Sequence, residues 1–145
     1  MIKNSALFTF IICANASAGV TPESCLDINR SVGVSMTDAL VADLDIKESD
    51  ILVDKTKLSL LSTNNVTPEL AETLARKNYS TESTHFFSLD KGKQMFMESN
   101  AKNIIVKYDY INHKNEHIVT LASLLINDDE CSVNFNGYII VKREF

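Results

Sequence analysis

Two short clusters in this 145-residue chain place side chains capable of chemistry at close spacing. "HKNEH" holds His113 and His117 four residues apart, with Glu116 beside the second. On a helix that spacing turns two imidazoles to one face, as zinc sites require. The flanking residues alternate as strands do, so the segment predicts a hairpin loop with His113 and His117 facing each other across the turn. They are the candidate metal ligands. The third ligand that a zinc site needs is missing, and the plain reading is two solvated loop histidines. "NDDEC" sets Asp128, Asp129 and Glu130 beside Cys131, and "DLDIKESD" contains Asp43, Asp45, Glu48 and Asp50. Neither has the alternating oxygen ligands and central glycine of a calcium loop, so both read as polar turns. The four glycines, at positions 19, 33, 92 and 137, are isolated and build no phosphate cradle. The nucleophile elbow G-x-S-x-G is absent as well. These patterns name no catalytic residue and no cofactor.

The cysteines are more informative. There are three, Cys13, Cys25 and Cys131. Cys13 lies in the apolar run "ALFTFIICA", which follows Lys3 and precedes "ANASA". A positive start, a short apolar stretch and small-x-small sites are the order of a secretory signal, cleaved after Ala16 or Ala18. The run is far short of the roughly 20 apolar residues that span a bilayer. Ile12, just before Cys13, is not the small residue that a lipidation signal places there. Residues 1–18 therefore read as a cleaved signal peptide, which removes Cys13. Two thiols remain in an exported chain, and they read as one disulfide, Cys25–Cys131.

The elements that position these residues follow from hydrophobic period. In "SVGVSMTDALVADLD" Ser35 is a candidate N-cap, with Met36, Leu40 and Leu44 as the apolar stripe of a short helix. "DILVDKTKLSLLST" predicts one strand. "TPELAETLARKNY" predicts a helix capped by Thr67, with Pro68 in its first turn and Leu70, Leu74, Ala71 and Ala75 as its apolar face. Ser88 could cap a third helix running to about Glu98, with Leu89, Met95 and Phe96 inward, although Gly92 equally suits a turn. "NIIVKYDYIN" alternates strictly, with Ile104, Val106, Tyr108 and Tyr110 on one face. "HIVTLASLLI" is apolar on both faces and reads as a central strand. "CSVNF" and "YIIVK" flank Asn136-Gly137, a strong hairpin signal. The predicted fold class is α+β: two or three helices and one strand, then a four-stranded antiparallel meander, with helices on one sheet face and one disulfide. Residues 19–145 read as a single domain.

Composition narrows the function. Hydrophobic residues are 45% and charged residues 23%, ordinary for a folded domain. The net charge is −5 with no basic run, which excludes nucleic acid as the expected partner. Once the signal is cleaved no membrane span is expected. An acidic surface suits another protein, and a basic one best. Tyr108, Tyr110 and Tyr138, with Phe86 and Phe87, supply aromatics near the sheet that are mostly core by default. The three tyrosines are the candidate partner surface if the outer sheet face keeps them exposed.

An early cysteine, intervening helices, and a late cysteine followed by a glycine and a final strand resemble the small periplasmic family of the colicin M immunity protein and YebF. Cys25, Cys131 and Gly137 carry that resemblance, which is architectural and transfers no functional residue. The lack of catalytic motifs, the disulfide-braced domain and the acidic surface instead point to an exported, non-enzymatic bacterial protein of periplasm or medium that acts by protein binding, as immunity and inhibitor proteins do. The alternative is a small ligand-binding domain or enzyme built like cystatins or nuclear transport factors. In that case a closed pocket with His85 or acids converging on it is expected.

Overall fold

Strict alternation along β2, Lys102–Ile111, sorts its side chains onto two faces. Ile104, Val106, Tyr108 and Tyr110 are fully buried on the inner face, while Ile105, Lys107 and Asp109 are half-buried on the outer one. The computed structural model describes residues 19–81 and 87–145. The expected signal segment 1–18 with Cys13, and also His85 and Phe86, lie outside the described residues.

The sheet runs β1-β2-β3-β4 and is antiparallel throughout. β1 is Lys57–Asn65, β3 is His117–Ile126 and β4 is Asn134–Arg143. β2 and β3 are central, and β1 and β4 are the two edges. Three helices accompany it: α1, Ser31–Leu44; α2, Pro68–Thr81; and α3, Leu89–Met95. The class is α+β with one disulfide.

Its strand bookkeeping differs from the sequence expectation. The four-stranded sheet includes β1, which precedes α2, and "CSVNF" and "YIIVK" do not pair as a hairpin. Asn136-Gly137 sits inside β4, where the register with β3 shifts between Ser123 and Leu124. Gly137 has φ +116°, a backbone that side-chain-bearing residues rarely adopt. A glycine that favours a hairpin turn equally favours a bulge, and here the bulge wins because β4 keeps one partner along its length.

α1 packs on the inner face. Val32, Met36 and Leu40 meet Ile104, Val106, Tyr108 and Tyr110 in one core. The rings of Tyr108 and Tyr110 stack with centroids 5.8 Å apart. Such a pair adds about 0.5–1.5 kcal/mol beyond burial alone. The helix starts one turn before the expected cap. Ser35 lies within it and Arg30 precedes it. Gly33 allows the earlier start, since a Cβ there would fall 2.3 Å from the Ile28 carbonyl oxygen.

α2 and α3 lie on the other side, so helices occupy both faces rather than one. Thr67 Oγ1 accepts from the Leu70 amide and Ser88 Oγ from the Lys91 amide, both as their sequences predict. Gly92 lies within α3. Of the residues expected to face inward from α3, Leu89 and Phe96 are half-buried and Met95 is exposed.

Cys25 closes a single turn of 3-10 helix, Glu23–Cys25, and is fully buried. Its disulfide to Cys131 joins the N-terminal segment to the loop before β4.

Candidate functional site

The outer face of the sheet is covered at one end and open at the other. At the covered end Leu125 is fully buried, as are the inward residues Ala71, Leu74 and Ala75 of α2. Two hydrogen bonds tie α2 to β4: Lys77 Nζ donates to the Asn136 carbonyl at 2.9 Å and Asn78 Nδ2 to Asn134 Oδ1 at 3.3 Å. Among the described residues, no further element lies over that side of the sheet beyond Asn136.

A polar ladder marks the boundary. Ser123 Oγ donates to Asn103 Oδ1 at 2.8 Å, and Asn136 Nδ2 reaches both Asn103 Oδ1 at 3.2 Å and Ser123 Oγ at 3.0 Å. Asn134 Nδ2 donates to Asn136 Oδ1 at 2.7 Å. These amides and the hydroxyl satisfy one another across three strands and hold no titratable group. They can fix the register of the bulged strand, but they cannot move a proton.

Beyond the ladder the face turns apolar. Ile105, Leu121 and Ile139 line an open hollow of about 610 Å³, with Lys77 at its rim. Ile139 is 63% exposed, Val141 59% and Ile140 44%. Ile139 is opposite Leu121 and belongs to the hollow, whereas Ile140 is opposite inner-face Thr120 and Val141 sits at a register shift. So much exposed apolar surface on an edge strand is more than folding alone requires. Leu61, at the bulge of the opposite edge strand, is also exposed.

The far rows are charged. Lys57 pairs with Asp109, Asp109 with Val119 and Val119 with Lys142, and Lys107 sits between Ser59 and Leu121. His117 Nδ1 lies 2.6 Å from Asp109 Oδ1. The His117 backbone N–H donates to Glu144 Oε2 at 2.8 Å, and Lys142 Nζ lies 2.9 Å from Glu144 Oε1. Lys142 and that N–H together hold the Glu144 carboxyl below the usual carboxylate range.

The candidate metal ligands are not brought together as a site. His117 is engaged with Asp109 on the sheet. His113 lines a separate hollow with Asp50, Glu116 and Phe145 at the hairpin end. The turn between them is built by Asn112, whose Oδ1 accepts from the amides of Lys114 and Glu116. Among the described residues no three His, Cys, Asp or Glu side chains form a group that could hold a metal ion. Asp128, Asp129 and Glu130 cap a loop organised by Asn127, whose Oδ1 accepts from the amides of Asp129 and Glu130.

The candidate tyrosine surface is corrected by burial. Tyr108 and Tyr110 are fully buried against α1 and present nothing to a partner. Burial pushes both phenols well above their ordinary pKa. Tyr138 is half-buried and donates to Asp43 Oδ2 at 2.9 Å. Burial first, and then the Asp43 carboxylate, push it up to about 12. Alternation identified the tyrosine face correctly but could not say which face α1 would cover. The exposed surface is aliphatic instead, in the "YIIVK" that sequence reasoning treated only as a strand. Its signal was present: Ile139, Ile140 and Val141 are apolar on both faces in a strand that ends the sheet.

The core between α1 and the sheet is filled by Tyr108, Tyr110, Met36 and Leu40, and the hollow of about 610 Å³ lies on the opposite, outer face. Among the described residues no helix is long and apolar enough to cross a membrane. Comparison of the chain with protein-family models, with curated proteins and with solved structures finds no match.

Proposed function

We propose that this chain is an exported bacterial protein of the periplasm or medium that acts by binding another protein, as immunity and inhibitor proteins do, without catalysis. The observation that carries this reading is the open half of the outer face, where Ile139 stands exposed beside the Ile105–Leu121 floor. A sheet with an apolar face buries it against another layer, and α2 covers only one end. The hollow is within the size range of small-molecule sites, but it is open and its floor is flat sheet. That shape suits a protein surface better than an enclosed ligand. The Cys25–Cys131 disulfide supports export, because such bonds persist in oxidising compartments. Cleavage after Ala16 or Ala18 would then leave a chain beginning at Ser17 or Gly19.

The test is a photo-crosslinking residue at position 139 in the producing cell, with a second at exposed Glu48 as control. A single adduct protein specific to position 139, identified by mass spectrometry, is the expected result. Absence of any adduct specific to position 139 would remove the reading.

A further inference from the structure

The charge of the outer face opposes the charge of the chain. The protein carries −5 overall. Yet the open half of the face presents Lys57, Lys107 and Lys142 from three strands and Lys77 from α2. Its carboxylates are Asp109, which meets His117, and Glu144, which accepts from the His117 amide and pairs with Lys142. That pair cancels, and the positive excess rests on Lys57, Lys77 and Lys107. Other acids lie off this open half. Asp38 and Asp43 are on α1, and Asp45, Glu48, Asp50 and Asp54 are in the segment before β1. Glu69, Glu72 and Asp90 are on α2 and α3, where Glu72 pairs with Arg76 and Lys93.

The edges of the sheet are blunted. The β1–β2 register shifts between Leu60 and Ser62, and the β3–β4 register shifts twice, once between Ser123 and Leu124 and once between Val119 and Thr120. Bulges and edge lysines oppose the addition of a further strand. Binding through the face is favoured over binding through an edge.

Resting on the protein-binding reading above, the geometry points to an acidic, amphipathic segment of another protein as the occupant of this face. Its apolar side chains would cover Ile105, Leu121 and Ile139 while its carboxylates meet Lys77, Lys107 and Lys142. The argument is complementarity: an apolar floor anchors, and a rim with an excess of lysines selects partners of the other sign. This reverses the expectation drawn from net charge, because a partner responds to the charge of the face it meets and not to the average.

The experiment uses the disulfide-bonded protein, isotope-labelled, with two synthetic amphipathic helices of equal length. One carries leucines and glutamates, and its twin has every glutamate replaced by lysine. The expected result is shift changes at Ile105, Lys107, Leu121 and Ile139 with the acidic peptide only, lost at high salt. Lys142→Glu and Lys107→Glu should each weaken that binding by roughly tenfold. Lys142→Glu also breaks the pair with Glu144, so the unfolding midpoint of each variant is read beside its binding, and loss of binding at an unchanged midpoint is the expected result. Equal or tighter binding of the basic twin on the same face would overturn the charge inference while leaving the protein-binding reading intact. Changes confined to β4 edge amides, or no change with either peptide, would also overturn it. Salt-sensitive self-association that Lys142→Glu abolishes would place a second copy there, by its acidic α1 side, and would overturn the foreign partner. If both the peptides and the position-139 crosslinks fail, the reading itself fails as well.

Discussion

Cys25 and Cys131 stand 106 residues apart in sequence and 5.5 Å apart between Cα atoms, joined by a disulfide. Cys25 is fully buried beside α1, and Cys131 sits in the loop that feeds β4. The bond therefore ties the segment ahead of the first helix to the last strand, and nearly the whole described chain lies inside the loop it closes.

A loop of that length loses much entropy when closed in the unfolded state, and the chain-entropy account assigns it roughly 4–5 kcal/mol. Replacing both cysteines by alanine should lower unfolding free energy by about that amount, read from denaturant midpoints. The same loss should follow reduction of the native protein. An unchanged midpoint in reductant would show that the noncovalent core alone sets stability.

Two buried threonines should respond to one substitution with opposite signs. Thr37 Oγ1 donates to the Gly33 carbonyl at 2.9 Å and lies 3.2 Å from the Tyr110 hydroxyl. With the Thr37 proton given to Gly33, the Tyr110 hydroxyl is the donor to Thr37. Thr37→Val leaves that phenol unpaired in the core and should cost about 1–2 kcal/mol. Thr120 is fully buried on the same face, and its Oγ1 finds no hydrogen-bond partner among the described residues. Thr120→Val keeps the shape and removes an unsatisfied group, so it should raise stability by about 1 kcal/mol. Urea unfolding of the two variants checks both signs, and a destabilised Thr120→Val would reveal a partner for its hydroxyl.

How far the sequence was readable depended on whether local signals had competitors. β2 was legible because its alternation is unbroken, and α2 because Thr67 and Pro68 admit one reading. Asn136-Gly137 was not, since positive φ serves a turn and a bulge equally and only the partner strand decides. The start of α1 was hidden by Val32, Gly33 and Val34, which argue locally for extended chain and become helical where Gly33 meets the Ile28 backbone. The outer face was invisible as a site because its lysines come from β1, α2, β2 and β4, far apart in sequence. Only their register brings Lys57, Lys107 and Lys142 onto one surface.

The bulge itself can be tested. A Cβ at Gly137 would meet nothing within 4 Å, so space is no obstacle, but φ +116° is strained for any L side chain. Gly137→Ala should cost about 1–2 kcal/mol through backbone strain alone. It should also disturb the amide ladder, moving the side-chain amide resonances of Asn136 and Asn103. A neutral effect would mean that β4 shifts register readily there.

Stability should fall in alkali. Burial holds Tyr108 and Tyr110 protonated well above the ordinary phenol value of 10.0, and Tyr138 is pushed up to about 12 by burial and Asp43. A folded-state pKa above the unfolded one adds stability that is complete below pH 10 and is lost as the pH climbs toward the folded value. Denaturant midpoints should thus hold steady near neutrality and decline from about pH 10 upward. Tyr108→Phe with Tyr110→Phe removes two of these phenols and should flatten most of the decline, whatever it does to stability at neutral pH. An undiminished slope in that double variant would assign the alkaline loss to other groups.

Gly33 is the most constrained position on α1. An added Cβ would lie 2.3 Å from the Ile28 carbonyl oxygen and 2.4 Å from its Cα, both backbone atoms that no rotamer change can move. Ile28 and Gly33 are also held by their neighbours. Arg30 N–H donates to the Asp27 carbonyl, and Val32 beyond it is buried in the core. Relief therefore requires α1 to shift away from the 26–30 segment, which opens the packing of Val32 and Met36 on Tyr108. Gly33→Ala should cost about 1–3 kcal/mol by overpacking, although alanine is the better helix former at an unconstrained site. Gly33→Ala combined with Cys25→Ala and Cys131→Ala should lose less than the sum of its parts, because the freed segment can yield to the new Cβ. The disulfide anchors the segment that must move, and contacting sites are not additive. Additive losses would show instead that α1 shifts without involving the bridge.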